Sequence, residues 1–142
     1  MLKQLIKPLL IILILSTGTI LAAEDAIHKL VIQVSSDDAR TQNMVIGNIV
    51  NLQKYYGMDN IEIEVVAYGP GLGMLTTKSS LASRITSLSM QDITFSACMN
   101  TMDNIKKKTG HLPKLTEGVG SVKAGVARIM ELQEQGYSYV RP

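Results

Sequence analysis

Apolar and polar positions alternate along the chain with two periodicities, one typical of strands and one typical of helices. Residues 28–35 form a mostly apolar, β-branched run, which predicts a buried strand. Residues 36–38 carry the serine and aspartates of a typical helix start, and apolar residues then recur every three or four positions up to Tyr56. The pattern therefore predicts a strand and then an amphipathic helix over residues 39–56, which Gly57 ends.

The same order continues towards the carboxyl terminus. Residues 61–68 alternate and then become wholly apolar, which predicts a second strand, and the glycine-rich segment 69–73 predicts a loop that is neither helix nor strand. The remaining pattern predicts a helix over 78–90, a strand over 93–97, a helix from about residue 100 to the lysines at 106–108, a loop over 111–118, a helix over 121–135 and a short strand over 137–140.

This alternation of strands and helices predicts an α/β fold. Successive β-α-β units give parallel strands with helices packed on both faces, because each crossover connection must run back over the sheet. We therefore expect a three-layer α/β/α domain with a mainly parallel sheet of four to five strands and a flavodoxin-like topology.

The amino terminus has the order of a secretory signal peptide. Lys3 and Lys7 precede an unbroken apolar run over residues 9–15, and the small pair Ala22 and Ala23 comes before the first acidic residues. A membrane-spanning helix needs about 20 apolar residues, and this stretch is shorter. The sequence thus predicts a cleaved signal over residues 1–23, with an uncleaved amino-terminal anchor as the alternative. It also predicts a single domain over residues 24–142, a periplasmic location and no membrane attachment after cleavage.

Charge and composition narrow the function classes. Two of the 14 Lys and Arg residues lie in the predicted signal, so the domain carries 12 basic residues against 12 acidic ones. Nucleic-acid-binding domains usually carry a marked positive excess, and none is present here. Trp is absent and Phe95 is the only Phe, so base-stacking platforms and aromatic sugar-binding clefts are not expected.

Cys98 is the only cysteine of the chain, and it lies at the carboxyl end of the third predicted strand. Ligands of open parallel sheets bind beyond the carboxyl ends of the strands. A predicted helix follows Cys98, and a helix amino terminus favours the thiolate, which is the reactive form. Cys98 is therefore a candidate catalytic thiol, although a free cysteine can equally be a buried small hydrophobe or can pair with another chain.

Two further loops should meet Cys98 at this edge, and they supply candidate ligand-binding residues. Ser36 follows the first strand, Gly69, Pro70 and Gly71 follow the second, and Asn100 follows Cys98 itself. The backbone N–H groups of the glycine loop could form an anion-binding nest, or the loop could simply be a tight turn.

Other chemistries find little support in the sequence. The glycine loop lacks the Gly-Lys-Ser/Thr of a phosphate loop, and Met74 stands where a dinucleotide fingerprint needs its third glycine. His28 and His111 are far apart, so we expect no metal site and no bound cofactor. A Cys–His catalytic pair would need His111 to fold back over Cys98.

Three stretches of the sequence resemble the DsrE/DsrF-like family. The segment around Cys98, residues 93–102, carries most of the resemblance, and residues 68–72 and 125–137 agree with it. The resemblance implies a three-layer DsrE-like fold, commonly assembled as trimers or hexamers. It also implies that Cys98 matches the cysteine that carries a persulfide in the sulfur-relay members. Those members are cytoplasmic, whereas this chain has a predicted export signal.

Two main hypotheses follow. In the first, the protein is a periplasmic sulfur carrier more than a turnover enzyme: Cys98 accepts sulfur as a persulfide and hands it to a partner protein or a small thiol. In the second, a homo-oligomer is a non-catalytic binding or assembly module for a small anion or a partner protein. A nucleotide or flavin binder is a third option, which the missing phosphate loop and the shortage of aromatic residues disfavour.

Overall fold

A computed structural model describes residues 27–142 of the chain, and the predicted signal over residues 1–23 lies outside them. The strands are β1 (His28–Val34), β2 (Ile61–Ala67), β3 (Thr94–Cys98), β4 (Val119–Val122) and β5 (Ser138–Val140). The helices are α1 (Ala39–Tyr56), α2 (Ala82–Ser89), α3 (Met99–Thr109) and α4 (Gly125–Glu134).

The five strands form one parallel sheet in the order β4-β3-β2-β1-β5. The chain moves in one direction from β1 to β4 and then returns to the far edge to form β5. Right-handed crossovers therefore place α1, α2 and α3 on one face of the sheet and α4 on the other. This arrangement confirms the predicted three-layer α/β/α architecture with a mainly parallel sheet.

The larger core lies under the three-helix face. The residues at its centre are large and fully buried, and they include Ile32, Ile49, Phe95, Leu72 and Ile85. Because side chains alternate along a strand, every second residue of each strand faces this core. The burial of these side chains is the main force that holds α1 and α2 on the sheet.

A smaller core lies under α4. Val31 and Val66 of the sheet pack against Ile129 and Leu132 of the helix, and Tyr68 and Tyr137 border the cluster. Within residues 27–142, α4 is the one helix of this face, and it covers the middle of the sheet. The strand positions towards β4 on this face carry polar side chains, and these form the site described below.

The start of α1 follows the sequence prediction. Asp38 is the N-cap, and its carboxylate accepts a hydrogen bond of 2.7 Å from the N–H of Thr41. This hydrogen bond to the backbone lowers the pKa of the Asp38 carboxyl. At the other end, Gly57 adopts a φ of 90°, a conformation that glycine reaches at little cost.

Two predicted elements are wrong. Residues 119–122, of which 121 and 122 were expected to begin a helix, form strand β4, and the helix starts only at Gly125. Val122 lies four residues before Val126, so its position matches the helical period by coincidence. Segment 69–73, expected to be a loop without helix, is part of a 3₁₀ helix over Gly69–Leu75. Its three closely spaced glycines and Pro70 permit this tight turn.

No helix in residues 27–142 is both long enough and apolar enough to cross a membrane.

Candidate functional site

Cys98 lies where two helices begin. It is the last residue of β3 and the N-cap of α3, which starts at Met99. Val122 of β4 pairs with Cys98 in the sheet, and α4 starts three residues later at Gly125. The amino termini of α3 and α4 therefore converge on one thiol, from opposite faces of the sheet.

The backbone of α4 contacts the sulfur directly. The N–H of Gly125, the first residue of α4, donates a hydrogen bond of 3.2 Å to Cys98 Sγ. The unsatisfied N–H groups at a helix start carry partial positive charge, so they stabilise an anion placed against them. A thiolate at Cys98 would occupy such a position for both helices.

These contacts act on the acidity of the thiol. Burial raises the pKa of Cys98, because it disfavours the charged thiolate. Hydrogen bonding from the backbone N–H groups of Thr101, Gly125 and Asn100 and from the Thr101 hydroxyl lowers it more. The net pKa of Cys98 is below the ordinary value for a cysteine, so a larger share of the thiol is thiolate at neutral pH.

Thr101 connects the thiol to the glycine-rich segment. Its Oγ1 accepts a hydrogen bond of 2.9 Å from the N–H of Gly69. Hydrogen bonding from the same hydroxyl to the Cys98 sulfur lowers the pKa of Cys98. A hydroxyl that accepts one hydrogen bond is polarised and donates a stronger one. The chain Gly69–Thr101–Cys98 thus joins the ends of β2 and β3 in one polar network.

A close approach of the backbone explains why residue 125 is a glycine. A Cβ at this position would lie 3.1 Å from Cδ1 of Tyr68 and 3.3 Å from Cβ of Cys98. Both distances are shorter than an ordinary carbon–carbon contact. A larger residue would require the side chains of Tyr68 and Cys98, or the start of α4, to shift by a few tenths of an ångström.

We therefore expect Gly125→Ala to raise the pKa of Cys98, because the displaced N–H would stabilise the thiolate less. Alkylation by iodoacetamide at neutral pH should slow by about threefold or more. The neighbouring change Val126→Ala is the matched control, since this side chain is exposed. An alkylation rate that is the same in Gly125→Ala as in the unchanged protein would show that the Gly125 amide does not tune the thiol.

An ion pair fixes α4 to the sheet one turn after Gly125. The Arg128 guanidinium donates two hydrogen bonds to Glu64, of 2.9 Å to Oε1 and 2.7 Å to Oε2. Ser96, two residues before Cys98 on the same face of β3, donates a further one of 2.7 Å to Oε1. The Glu64 side chain is 5% exposed, and its hydrogen bonds raise the pKa of the Arg128 guanidinium. This network sets where the amino terminus of α4 lies.

A groove of about 380 Å³ lies on the α4 face of the sheet, near Cys98. Its walls include Glu64, Ser96 and Arg128 of the ion-pair network, together with Val122 and Ala124, which lie on either side of the turn into α4. Cys98 itself is 5% exposed. Cys98 is not among the residues that line the groove, so its sulfur lies behind the groove wall and is recessed from the surface.

The residues predicted to bind ligand lie at the same edge of the sheet, but not all of them face the thiol. Asn100 contributes to the site through its backbone N–H, because hydrogen bonding from this group to the sulfur lowers the pKa of Cys98. Ser36 is two strands away, and its hydroxyl accepts a hydrogen bond of 3.1 Å from the N–H of Asp38. Its role in the structure is to shape the start of α1.

The glycine-rich segment is packed rather than open. The N–H of Gly71 donates a hydrogen bond of 3.1 Å to the carbonyl of Tyr68, and the N–H of Gly69 donates to Thr101. Pro70, between them, has no N–H to donate. The amides considered for an anion nest are thus already satisfied, and Gly71 lies directly against the end of β1.

His111 does not reach Cys98. It follows the carboxyl end of α3, whose 11 residues extend about 16 Å from the thiol at 1.5 Å per residue. Within residues 27–142, no group of three or more His, Cys, Asp or Glu side chains could hold a metal ion.

Comparison of the chain with known proteins indicates its family. The chain matches no model of a protein family and no curated protein sequence. Among solved structures, the chain is similar to MTH1491 from Methanobacterium thermoautotrophicum, a protein of unknown function. The two sequences are 32% identical, with a TM-score of 0.72, over 81% of this chain and 99% of that one. MTH1491 is DsrE-like.

The chain belongs to the DsrE/DsrF-like family.

A second solved structure agrees on the fold of this DsrE/DsrF-like protein. YchN from E. coli has a TM-score of 0.63 to the chain, over 82% of this chain and 100% of that one, at 13% sequence identity. At this identity the likeness concerns the fold alone, and YchN has the DsrE/DsrF-like fold. The family resemblance seen in the sequence is thereby confirmed.

Sequence reasoning missed the contribution of α4 to the site at Cys98. Gly125, Glu64 and Arg128 were not expected there, because the helix was thought to start at residue 121 and to continue through Gly125. Lys123, Ala124 and Gly125 between two apolar segments were the available signal, since a glycine at a helix start often permits a close backbone approach.

Proposed function

We propose that the protein is an exported sulfur carrier in which Cys98 takes up sulfane sulfur as a persulfide and passes it to another thiol. The observation that carries the proposal is the convergence of two helix starts on one sulfur, with the Gly125 N–H donating to Sγ. The thiolate that this arrangement favours is the nucleophile that such chemistry requires. Membership of the DsrE/DsrF-like family supports it.

The transfer needs neither an oxidant nor a reductant. The Cys98 thiolate attacks the outer sulfur of a donor persulfide, R–S–SH. A new S–S bond forms to Cys98, the S–S bond of the donor breaks, and the donor leaves as the thiolate R–S⁻. The same N–H groups that stabilise the Cys98 thiolate would stabilise the negative charge of the persulfide.

The second half of the transfer must involve a different thiol. Cys98 is the only cysteine of the chain, so the protein cannot release the sulfur by forming an internal disulfide. The outer sulfur of the Cys98 persulfide is instead attacked by a thiol of a partner protein or by a small thiol. The protein would then act as a carrier between a donor and an acceptor.

We expect polysulfide to add sulfur to the purified protein at Cys98. Intact mass spectrometry should show added sulfur atoms, which dithiothreitol removes, and Cys98→Ser should show none. Met99→Leu, which changes the adjacent exposed side chain and keeps the thiol, is the matched control and should load normally. Equal loading of the Cys98→Ser variant, or no adduct on the unchanged protein, would rule out the carrier role.

An assembly module is the second candidate, and two observations favour it. Cys98 is 5% exposed, as a structural cysteine would be, and α4 presents the apolar side chains of Val126 and Met130 to solvent at 54% and 58% exposure. In this alternative a homo-oligomer, a trimer or a hexamer, forms the functional unit. In this case the Cys98 thiol would be alkylated no faster than a free cysteine. The Cys98→Ser variant would still bind its ligand or partner and would still assemble.

The proposed location is the periplasm. It rests on the basic, apolar and small-residue order of residues 1–23. Detection of a mature protein that lacks these residues in the periplasmic fraction would support the proposal. Retention of the full-length chain in the cytoplasm would overturn it, and the carrier chemistry of Cys98 would then be assigned to that compartment.

A further inference from the structure

A second groove lies on the three-helix face, away from Cys98. It has a volume of about 420 Å³ and runs between the carboxyl-terminal half of α1 and α2. Helix α1 begins at the carboxyl edge of the sheet and runs back towards the amino edge, so its last turns lie at the end of the domain opposite the thiol. The groove is therefore separate from the site at Cys98.

The groove combines an apolar wall with positive charge. Val50 and Leu88 provide apolar surface, and Met58 extends it towards solvent. Lys54 and Arg84 are the charged residues of the lining, and neither forms an ion pair within residues 27–142. In the groove beside Cys98, by contrast, the charge of Arg128 is already matched by Glu64.

Gln53 adds a polar group to the wall of the groove. It lines the groove and is 8% exposed as a whole residue. Within the described part of the chain, its backbone carbonyl accepts from the N–H of Gly57. Its side-chain amide forms no hydrogen bond among residues 27–142 and is reached by solvent, so it is available to a ligand in the groove.

We propose that this groove binds a small organic anion with an apolar body. The acidic head group lies between Lys54 and Arg84, where two unpaired cations can share its charge. The apolar body lies on Val50 and Leu88, and the Gln53 amide donates to the head group. A site of this size, mostly apolar with a few polar groups that fix orientation, is typical of small-molecule binding.

Octanoate is a suitable probe, with octanol as the uncharged analogue of the same length. In NMR titrations of the protein, octanoate should shift the backbone signals of the groove and the side-chain amide signal of Gln53 in a saturable way. Octanol should bind at least about tenfold more weakly, because it lacks the charge that Lys54 and Arg84 recognise. Equal affinity for octanol and octanoate would overturn the proposal.

Variants locate the binding. Lys54→Gln/Arg84→Gln should weaken octanoate binding by about tenfold or more, and Arg40→Gln, at the opposite end of α1, should leave it unchanged. Octanoate binding that the double variant does not weaken would overturn the proposal, as would shifts confined to other parts of the protein. Phenyl phosphate and a sulfonate of similar size then distinguish which acidic head group the groove prefers.

Discussion

Replacing Gly71 with alanine is expected to destabilise the protein by roughly 3 kcal/mol or more, because the new methyl group has no space. A Cβ at Gly71 would overlap the carbonyl oxygen of Val34 and would lie 2.6 Å from the Val34 carbonyl carbon and 2.8 Å from the Ser35 nitrogen. These are backbone atoms at the end of β1, so they cannot move aside as a side chain does. Thermal unfolding followed by circular dichroism should show a midpoint lowered by about 10 °C or more.

Gly73→Ala provides the matched control. Gly73 belongs to the same 3₁₀ helix, and a Cβ there meets no atom within 4 Å. Neither glycine has a φ in the left-handed region, so the two variants differ in steric contact and not in backbone strain. We expect Gly73→Ala to change stability by no more than about 0.5 kcal/mol. A similar loss in both variants would mean that the packing of Gly71 on β1 is not the cause.

The contact of Gly71 with β1 also shows what the sequence could not predict. The glycine-rich segment was correctly placed at the carboxyl edge of the sheet, because it follows an apolar strand. Its glycines were considered for anion binding, but Gly71 is needed for close packing, and its N–H is engaged by Tyr68. A glycine pattern in the sequence does not separate these roles, because both require a small residue next to backbone.

The sequence predicted more of the fold than of the site. β1, β2 and β3 are nearly continuous apolar runs, as strands buried on both faces must be, so their pattern is strong. β4 has four residues, two of them exposed, and lies at the edge of the sheet. The strand pattern of these four residues is weak. Val122 also happens to match the helical spacing of the residues that follow, so the sequence predicted a helix there.

Because strand β4 was not predicted, the part of the site that α4 contributes was not predicted either. Cys98 could be placed at the start of α3 from local sequence alone, because strand, cysteine and helix are consecutive. The contact of Gly125 with the sulfur joins residues 27 positions apart, and it depends on the pairing of Cys98 with Val122. Only the three-dimensional arrangement shows that two helix starts act on one thiol.

The second large effect is expected for Arg128→Met, which removes the cation that pairs with the buried Glu64 carboxylate, Arg128 itself being 31% exposed. Glu64 would be left with Ser96 as its remaining side-chain hydrogen-bond donor and with no cation to balance its carboxylate. A buried charge without its partner costs about 3 kcal/mol or more. Chemical denaturation should show this loss of stability. Alkylation of Cys98 should also slow, because Arg128 holds the helix whose first N–H donates to the sulfur.

Two further variants separate the ion pair from other effects of Arg128. Glu131→Gln removes the exposed partner of Arg128, which lies 3.6 Å away, and should change stability by no more than about 0.5 kcal/mol. Glu64→Gln/Arg128→Met leaves no buried charge and should recover much of the loss, because the Gln carbonyl can still accept from Ser96. If the double variant were as unstable as Arg128→Met, the cost would lie in the packing of Arg128 and not in its charge. Recovery of stability without recovery of the alkylation rate would show that the ion pair positions α4 at the thiol, in addition to stabilising the fold.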